Sequence, residues 1–168
     1  MHSSNADDRR HQRFEKLVGD FHQDMFRYAA WLSRDRAVAE DVVQEAMLRA
    51  WKSLDSIRDD ASAKQWLLTI VRRENARHFE RKRLETVDID NLTASQSALL
   101  ATTADEELDD LRKAIFTLDD EYREPLVLQV LMGYSTNEIA EQMQLTQGAV
   151  LTRLHRARAR LKEAMATR

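Results

Sequence analysis

Four arginines, Arg153, Arg156, Arg158 and Arg160, crowd the end of the stretch STNEIAEQMQLTQGAVLTRLHRARARL, Ser135–Leu161. A guanidinium can take a guanine edge through two parallel hydrogen bonds or hold a phosphate, so their placement decides which chemistry is open to them. At steps of about 100° from Val150, the residues Val150, Leu154, Ala157 and Leu161 fall within about 60° of one another and form a stripe for burial. Gly148, Thr152, His155, Arg156 and Ala159 fall on the opposite side, flanked by Arg153, Arg158 and Arg160. Small residues there permit close approach to a groove. Thr152, His155 and Arg156 can bond base edges, and the flanking arginines can hold phosphates. A solvated arginine-rich face on a core helix has the same charge, but it needs neither the small residues nor the turn that precedes them. In that turn Leu145 fills the corner and Thr146 is placed to cap the second helix, while Ser135 or Thr136 with Glu138 caps the first. The stretch reads as a helix-turn-helix, 136–155. Gln144 stands where such turns favour glycine, so it requires either a left-handed backbone or a wider turn.

Bond-making chemistry has no comparable set of residues. Asp59 and Asp60 are adjacent and cannot face each other as an acid and a base, and Ser33, Ser62 and Ser135 lack a recognisable base. There is no cysteine, and His2, His11, His22, His78 and His155 are scattered without metal-ligand spacing. No catalytic residue, metal, cofactor or small-molecule substrate is expected. The polar start MHSSNADDRRHQRF has no apolar core of a signal peptide, and no run of about 18 apolar residues exists to span a bilayer. A soluble, cytoplasmic protein without membrane insertion is the expectation.

The elements that must position these residues are helices. Only 3 glycines and 1 proline argue against strands joined by tight turns, so the fold class is all-α. Apolar residues recur at helical spacing over Phe14–Leu32, about Val38–Leu54 and about Lys64–Arg83. These three helices make one small bundle around Phe26, Trp51 and Trp66, with Ser56–Ala63 as a loop and 1–13 as a disordered N-terminus. The segment 84–105, rich in Thr, Ser, Ala and Asp, reads as a flexible acidic linker. From Glu106 a second bundle of four helices follows, with an acidic turn DDEYRE, Pro125 suited to a first helical turn and Gly133 suited to ending that helix.

Charge is divided along the chain in the same way. Residues 1–83 carry 17 Lys+Arg against 14 Asp+Glu, residues 84–124 carry 3 against 12, and residues 125–168 carry 6 against 3. The net charge of −3 therefore hides two mildly basic blocks around an acidic middle. A salt-sensitive grip on phosphates needs local positive charge, not a basic total.

A second kind of surface lies on the helix AEDVVQEAMLRAWKSL, Ala39–Leu54. Val43, Ala46, Met47, Ala50 and Leu54 make its buried side, and Asp41, Gln44, Glu45, Leu48 and Lys52 lie opposite. A single exposed leucine is ordinary by itself. Set among acids and amides, Leu48 fits a protein partner equally well.

At this helix, as AVAEDVVQEAMLRAWKSL, and again at GYSTNEIAEQMQLTQGAVLTRLHRARARL, the chain resembles sigma factors of the extracytoplasmic-function (ECF) type. The lead-in LDDEYREPLVLQVLM fits as well, and the resemblance covers about Phe14–Arg83 and Glu106–Ala164. It implies a region 2 domain over 14–83, a linker over 84–105 and a region 4 domain over 106–168. It also implies a specificity subunit that binds core RNA polymerase, through the beta-prime clamp helices and the beta flap, and directs it to a set of promoters. By position, Asp41, Gln44, Glu45 and Leu48 correspond to the grip on the clamp helices. Ser62, Lys64, Trp66, Arg72, Arg73 and Arg77, on and before the helix KQWLLTIVRRENARHFERKR, correspond to −10 promoter contacts. Gly148, Leu151, Thr152, Arg153, His155, Arg156, Arg158 and Arg160 correspond to −35 contacts. An anti-sigma factor is implied as the controlling partner.

Three departures stand out. Ala63 replaces a frequent aromatic, Arg73 a frequent asparagine, and Leu151 a usual basic residue that could bond a phosphate. A self-sufficient helix-turn-helix regulator is the rival reading, and it predicts tight duplex binding without polymerase. A helical adaptor that binds only proteins is the third.

Overall fold

A computed structural model describes residues 3–85 and 106–167, and contacts divide these into two compact units. The first holds 3–29 and 37–85, the second 30–36 and 106–167. All regular structure among the described residues is helical, as the scarcity of glycine and proline predicts.

The first unit is built from α1, Ser3–Ser33, up to residue 29, from α2, Arg36–Lys52, beyond residue 36, and from α3, Ala63–Glu85. Met25, Tyr28, Ala29, Val42, Val43, Ala46, Leu67, Leu68 and Val71 are buried at helical spacing. Each fully buried side chain of valine or leucine size stabilises the fold by about 1.5–3 kcal/mol. The aromatic residues expected at the centre sit instead at its rim. Trp51 and Trp66, with Phe14 and Phe21, are partly buried against a smaller cluster of Leu17, Leu54, Ile57 and Ala63, and Phe26 is partly buried too. Within the expected loop Ser56–Ala63, two short 3-10 turns, Leu54–Ser56 and Asp60–Ser62, carry the chain from α2 to α3.

The disordered N-terminus expected over 1–13 is corrected by α1, which already runs through residues 3–13. Its first turns lack an apolar stripe because other contacts hold them. Arg10 donates to the Trp51 carbonyl at 2.6 Å and lies 4.3 Å over the Trp51 ring, while the His11 ring meets the same indole at 4.6 Å, tilted by 59°. Arg13 reaches the Ile57 carbonyl at 3.3 Å. A cation over an indole face gains about 0.5–2 kcal/mol, and hydropathy periodicity cannot register it.

The second unit is built on α4, Glu106–Thr117; α5, Asp120–Val130; α6, Thr136–Met143; and α7, Gln147–Ala166. Leu118, Tyr122, Leu126, Val127, Leu128, Ile139, Met143, Val150, Leu154 and Ala157 form its core. The predicted turn DDEYRE is corrected as well: α5 begins at Asp120, so Pro125 lies inside the helix and not in its first turn. The cost is one backbone bond, and it is offset by burial of Tyr122 through Leu128. Gly133 ends the segment with φ 71°, allowing Met132 and Tyr134 to return their N–H groups to the Val127 and Leu128 carbonyls at 3.2 and 3.0 Å. Of the predicted linker, Leu84 and Glu85 belong to α3, and 86–105 lies outside the described residues.

Candidate functional site

The turn between α6 and α7 is set by local bonds. Ser135 Oγ accepts from the Glu138 N–H at 3.2 Å, and the Glu138 carboxylate accepts from the Ser135 N–H at 2.7 Å, forming a capping box. Thr146 Oγ1 accepts from the Ala149 N–H at 3.2 Å, and the Gln147 amide donates to Thr136 Oγ1 at 3.2 Å across the turn. Gln144 takes the left-handed backbone, φ 54°, so the turn keeps its length without glycine. That conformation costs a residue with a side chain roughly 1–2 kcal/mol. Gln144→Gly is therefore expected to stabilise the second unit by about 0.5–1 kcal/mol, read as a higher Tm; a lower Tm would show that the glutamine side chain supports the turn.

On α7 the buried stripe is the expected one: Val150, Leu154 and Ala157 are buried and Leu161 partly so. Gly148, Leu151, Thr152, His155, Arg156 and Ala159 are exposed, Leu151 by 52%. A Cβ added at Gly148 would meet no atom within 4 Å, so the surface beside it is open. Thr152 donates its hydroxyl to the Gly148 carbonyl at 3.0 Å, which turns its oxygen lone pairs outward.

The arginines divide into two sets. Arg160 bonds Asp119 at 2.6 Å and lies 4.4 Å over the Tyr122 ring. The bond from Asp119 raises its pKa above the ordinary guanidinium value. Arg158 bonds the Gln129 side-chain oxygen, and Arg153 approaches Glu121 at 4.0 Å. Arg156 and His155 form no such pair among the described residues. Exposed pairs of this kind are screened by solvent and weakly held, so a phosphate can still compete for the first set. The second set is available without competition.

On α2 the ridge is complete. Asp41, Gln44, Glu45 and Leu48 are all exposed, Leu48 by 56%, while Val42, Val43, Ala46 and Ala50 behind them are buried. A nearly apolar hollow lined by Phe14, Gln44, Met47, Leu48 and Trp51 lies along one side of it. Leu48 is therefore continuous with other apolar surface, which a residue-by-residue reading of the helix does not reveal.

Ahead of α3, Asp59 accepts from the Ser62 N–H at 2.9 Å and from its hydroxyl at 3.0 Å. These bonds hold the Asp59 carboxyl below its ordinary pKa, the backbone bond contributing most. Ser62 is thus fixed at the entrance to the helix. Lys64 and Arg72 are partly exposed, Arg73 and Arg77 are exposed, and Trp66 packs at the rim of the first core.

Glu74, an acid among the basic residues of α3, is turned inward. It is 2% exposed, pairs with Arg49 of α2 and accepts from Arg77 at 3.1 Å. Its charge is spent inside the fold, and Arg77 is held by it. No spacing within α3 reveals this, because Arg49 lies on another helix.

Two helical units, one of them ending in a capped helix-turn-helix with an open face, define a transcription factor that reads DNA. Residues 17–85 match the family model for Sigma-70 region 2, and residues 108–161 match that for Sigma-70, region 4. The chain belongs to the sigma-70 family of RNA polymerase sigma factors, in its ECF group. It is 36% identical over 139 residues to the ECF RNA polymerase sigma factor SigL of Mycobacterium tuberculosis, covering 79% of this chain and 77% of that protein. The ECF sigma factor SigX of Bacillus subtilis is 26% identical over 154 residues, covering 86% and 79%. Among solved structures, the sigma factor RpoE in complex with the anti-sigma factor NepR from Bartonella quintana superposes with a TM-score of 0.75 at 25% identity, over 92% of this chain and 98% of that one. CnrH in complex with the cytosolic domain of CnrY gives a TM-score of 0.70 at 25% identity, over 94% and 90%. The all-α, two-unit fold and the class of protein are those the sequence motifs imply. Among the described residues no helix is long and apolar enough to cross a membrane.

Proposed function

We propose that this sigma factor holds core RNA polymerase through Asp41, Gln44, Glu45 and Leu48, and reads promoters through two separate surfaces. Sigma-70 regions bind core polymerase and promoter DNA, and this chain directs initiation at a specific set of promoters. The observation that carries the residue-level reading is the α2 ridge: four exposed side chains on one face, three of them polar, backed by a buried apolar face. Ser62, Lys64, Trp66, Arg72, Arg73 and Arg77 serve the −10 element, where strand separation costs a few kcal/mol that stacking and positive charge offset. Thr152, His155 and Arg156 read the −35 element, with Arg153, Arg158 and Arg160 exchanging their intramolecular partners for phosphates.

Neither DNA contact has to be strong alone, because docking on polymerase makes the second contact effectively intramolecular. The clamp helices of beta-prime take the ridge and the beta flap takes the second unit. Sigma factors are non-enzymatic regulators; this chain performs no bond chemistry of its own and acts in the cytoplasm. Two of the similar structures hold an anti-sigma factor or the cytosolic domain of a second protein, which supports control of this chain by an anti-sigma factor.

Run-off transcription with purified core polymerase tests the reading. A promoter-specific transcript that appears only when this chain is added is expected. Tight promoter binding by the chain alone, with no transcript, would identify a self-sufficient regulator instead. Within that assay, Arg156→Ala is expected to leave polymerase affinity unchanged and to cost about 1–3 kcal/mol of discrimination at one −35 base pair. Uniform loss across promoter sequences would reassign Arg156 to a phosphate.

A further inference from the structure

The basic charges of α3 do not all face one way. At about 100° per residue, His78, Arg81, Lys82 and Glu85 fall on one stripe, while Arg72, Arg73 and Arg77 lie roughly 90° or more away from its centre. That stripe and the α2 ridge line one open cleft of about 510 Å³, bounded by Asp41, Gln44 and Glu45 on one side and His78, Arg81, Lys82 and Glu85 on the other.

One helical turn earlier the same two helices are clasped, because Glu74 on α3 pairs with Arg49 on α2. In the cleft the clasp is not repeated. Among the described residues, Asp41, Glu45 and Arg81 form no ion pair, although carboxylates and guanidinium line the same space. Unlike charges that border one cleft without neutralising each other remain available to a third party, and complementary charge across an interface fixes register and partner choice.

Building on the reading of the ridge as the polymerase grip, we propose that the C-terminal turns of α3, through Arg81 and Lys82, form the second wall of the polymerase-docking site. They are not part of the −10 DNA surface. The occupant is a helix of core polymerase that carries both signs of charge. Its basic side chains meet Asp41 and Glu45, and an acidic side chain enters between α2 and α3 to meet Arg81 and Lys82. The site is continuous with the ridge, since Asp41, Gln44 and Glu45 belong to both. A single-signed partner such as DNA cannot satisfy it, because the same cleft presents Asp41, Glu45 and Glu85 to any phosphate.

The test is the affinity of the full chain for purified core polymerase without DNA, measured by competition against labelled wild-type chain. R81E/K82E is expected to weaken binding at least fivefold, R81Q about two- to threefold, and R83E, on the opposite face of α3, by less than twofold, with helical content by circular dichroism unchanged. Wild-type affinity for R81E/K82E, alongside lost affinity for D41R, would overturn the second wall and leave the ridge intact. Wild-type affinity for D41R as well would overturn the ridge reading on which the proposal rests. If R81E/K82E loses helical content, the R81Q affinity decides: a value within 1.5-fold of wild type overturns the proposal.

Discussion

Arg123→Ala is expected to cost the second unit about 3 kcal/mol, the largest stability effect of any single exposed-or-polar substitution suggested by the sequence and structure. Arg123 is 2% exposed, yet it is a full charge. It donates to the Leu118 carbonyl at 2.9 Å and pairs with Asp120. Burial lowers its pKa below the ordinary guanidinium value, so the environment alone disfavours the cation. An arginine side chain nevertheless stays protonated in a protein, so the charge is kept. What keeps it inside is a set of fixed acceptors: the Leu118 carbonyl, which it shares with Arg34, the Trp31 carbonyl at 3.1 Å and the Asp120 carboxylate.

Truncation removes the packing of a long stem and the donors that reach the Trp31 and Leu118 carbonyls, a loss of about 1–3 kcal/mol for the hydrogen bonding alone. For a unit of this size, about 3 kcal/mol corresponds to a fall in Tm of roughly 12–24 °C. Arg123→Met separates the two contributions. Methionine restores stem volume without the donors, and replacing a buried charge by an apolar residue also relieves its desolvation. A Tm for the Met variant between those of Ala and wild type is expected. A Met variant as stable as wild type would show that the guanidinium contributes packing and nothing more.

The largest functional effect is expected at Asp41. Asp41→Arg should weaken binding to core polymerase roughly 30-fold or more, the range of a central interface residue whose charge is reversed against a complementary partner. Stability should not change, because Asp41 is exposed and holds no partner among the described residues. Gln44→Ala should act in the same direction with a smaller loss. Equilibrium binding to core polymerase and thermal unfolding, measured on the same preparation, check both halves. An Asp41→Arg variant that binds core polymerase normally would remove α2 from the interface. The contrast with Arg156→Ala matters, because one variant loses the polymerase and keeps the promoter surface, while the other does the opposite.

The two motifs carried by local bonds were legible without coordinates. Ser135 with Glu138, and Thr146 with Ala149, are partners three residues apart, and such pairs follow from residue type and spacing. Gln144 presented a choice between a left-handed backbone and a wider turn; the chain takes the first, at φ 54°. Helical periodicity also placed Asp41, Gln44, Glu45 and Leu48 on the exposed side of α2 and Val150, Leu154 and Ala157 on the buried side of α7. Two helical units and their order along the chain follow from that periodicity, because amphipathic stripes are repeated every turn and need no knowledge of what they face.

The sequence by itself therefore determined the all-α class, the helix-turn-helix and the outward ridge. Only the tertiary structure decided where the charged residues go. Glu74 looks like one more solvated charge on a basic helix, but Arg49, 25 positions away, makes it an interior anion. Arg158 and Arg160 look free, but Gln129 and Asp119 stand 29 and 41 positions away and hold them. Arg10 belongs to a polar segment that suggests disorder until Trp51, 41 positions on, gives it an aromatic face. The physical reason is common to all three. Apolar burial is non-directional and is signalled by each residue's own type, whereas a charge is stabilised by a specific partner at a specific distance. That partner is brought near only when the chain has folded.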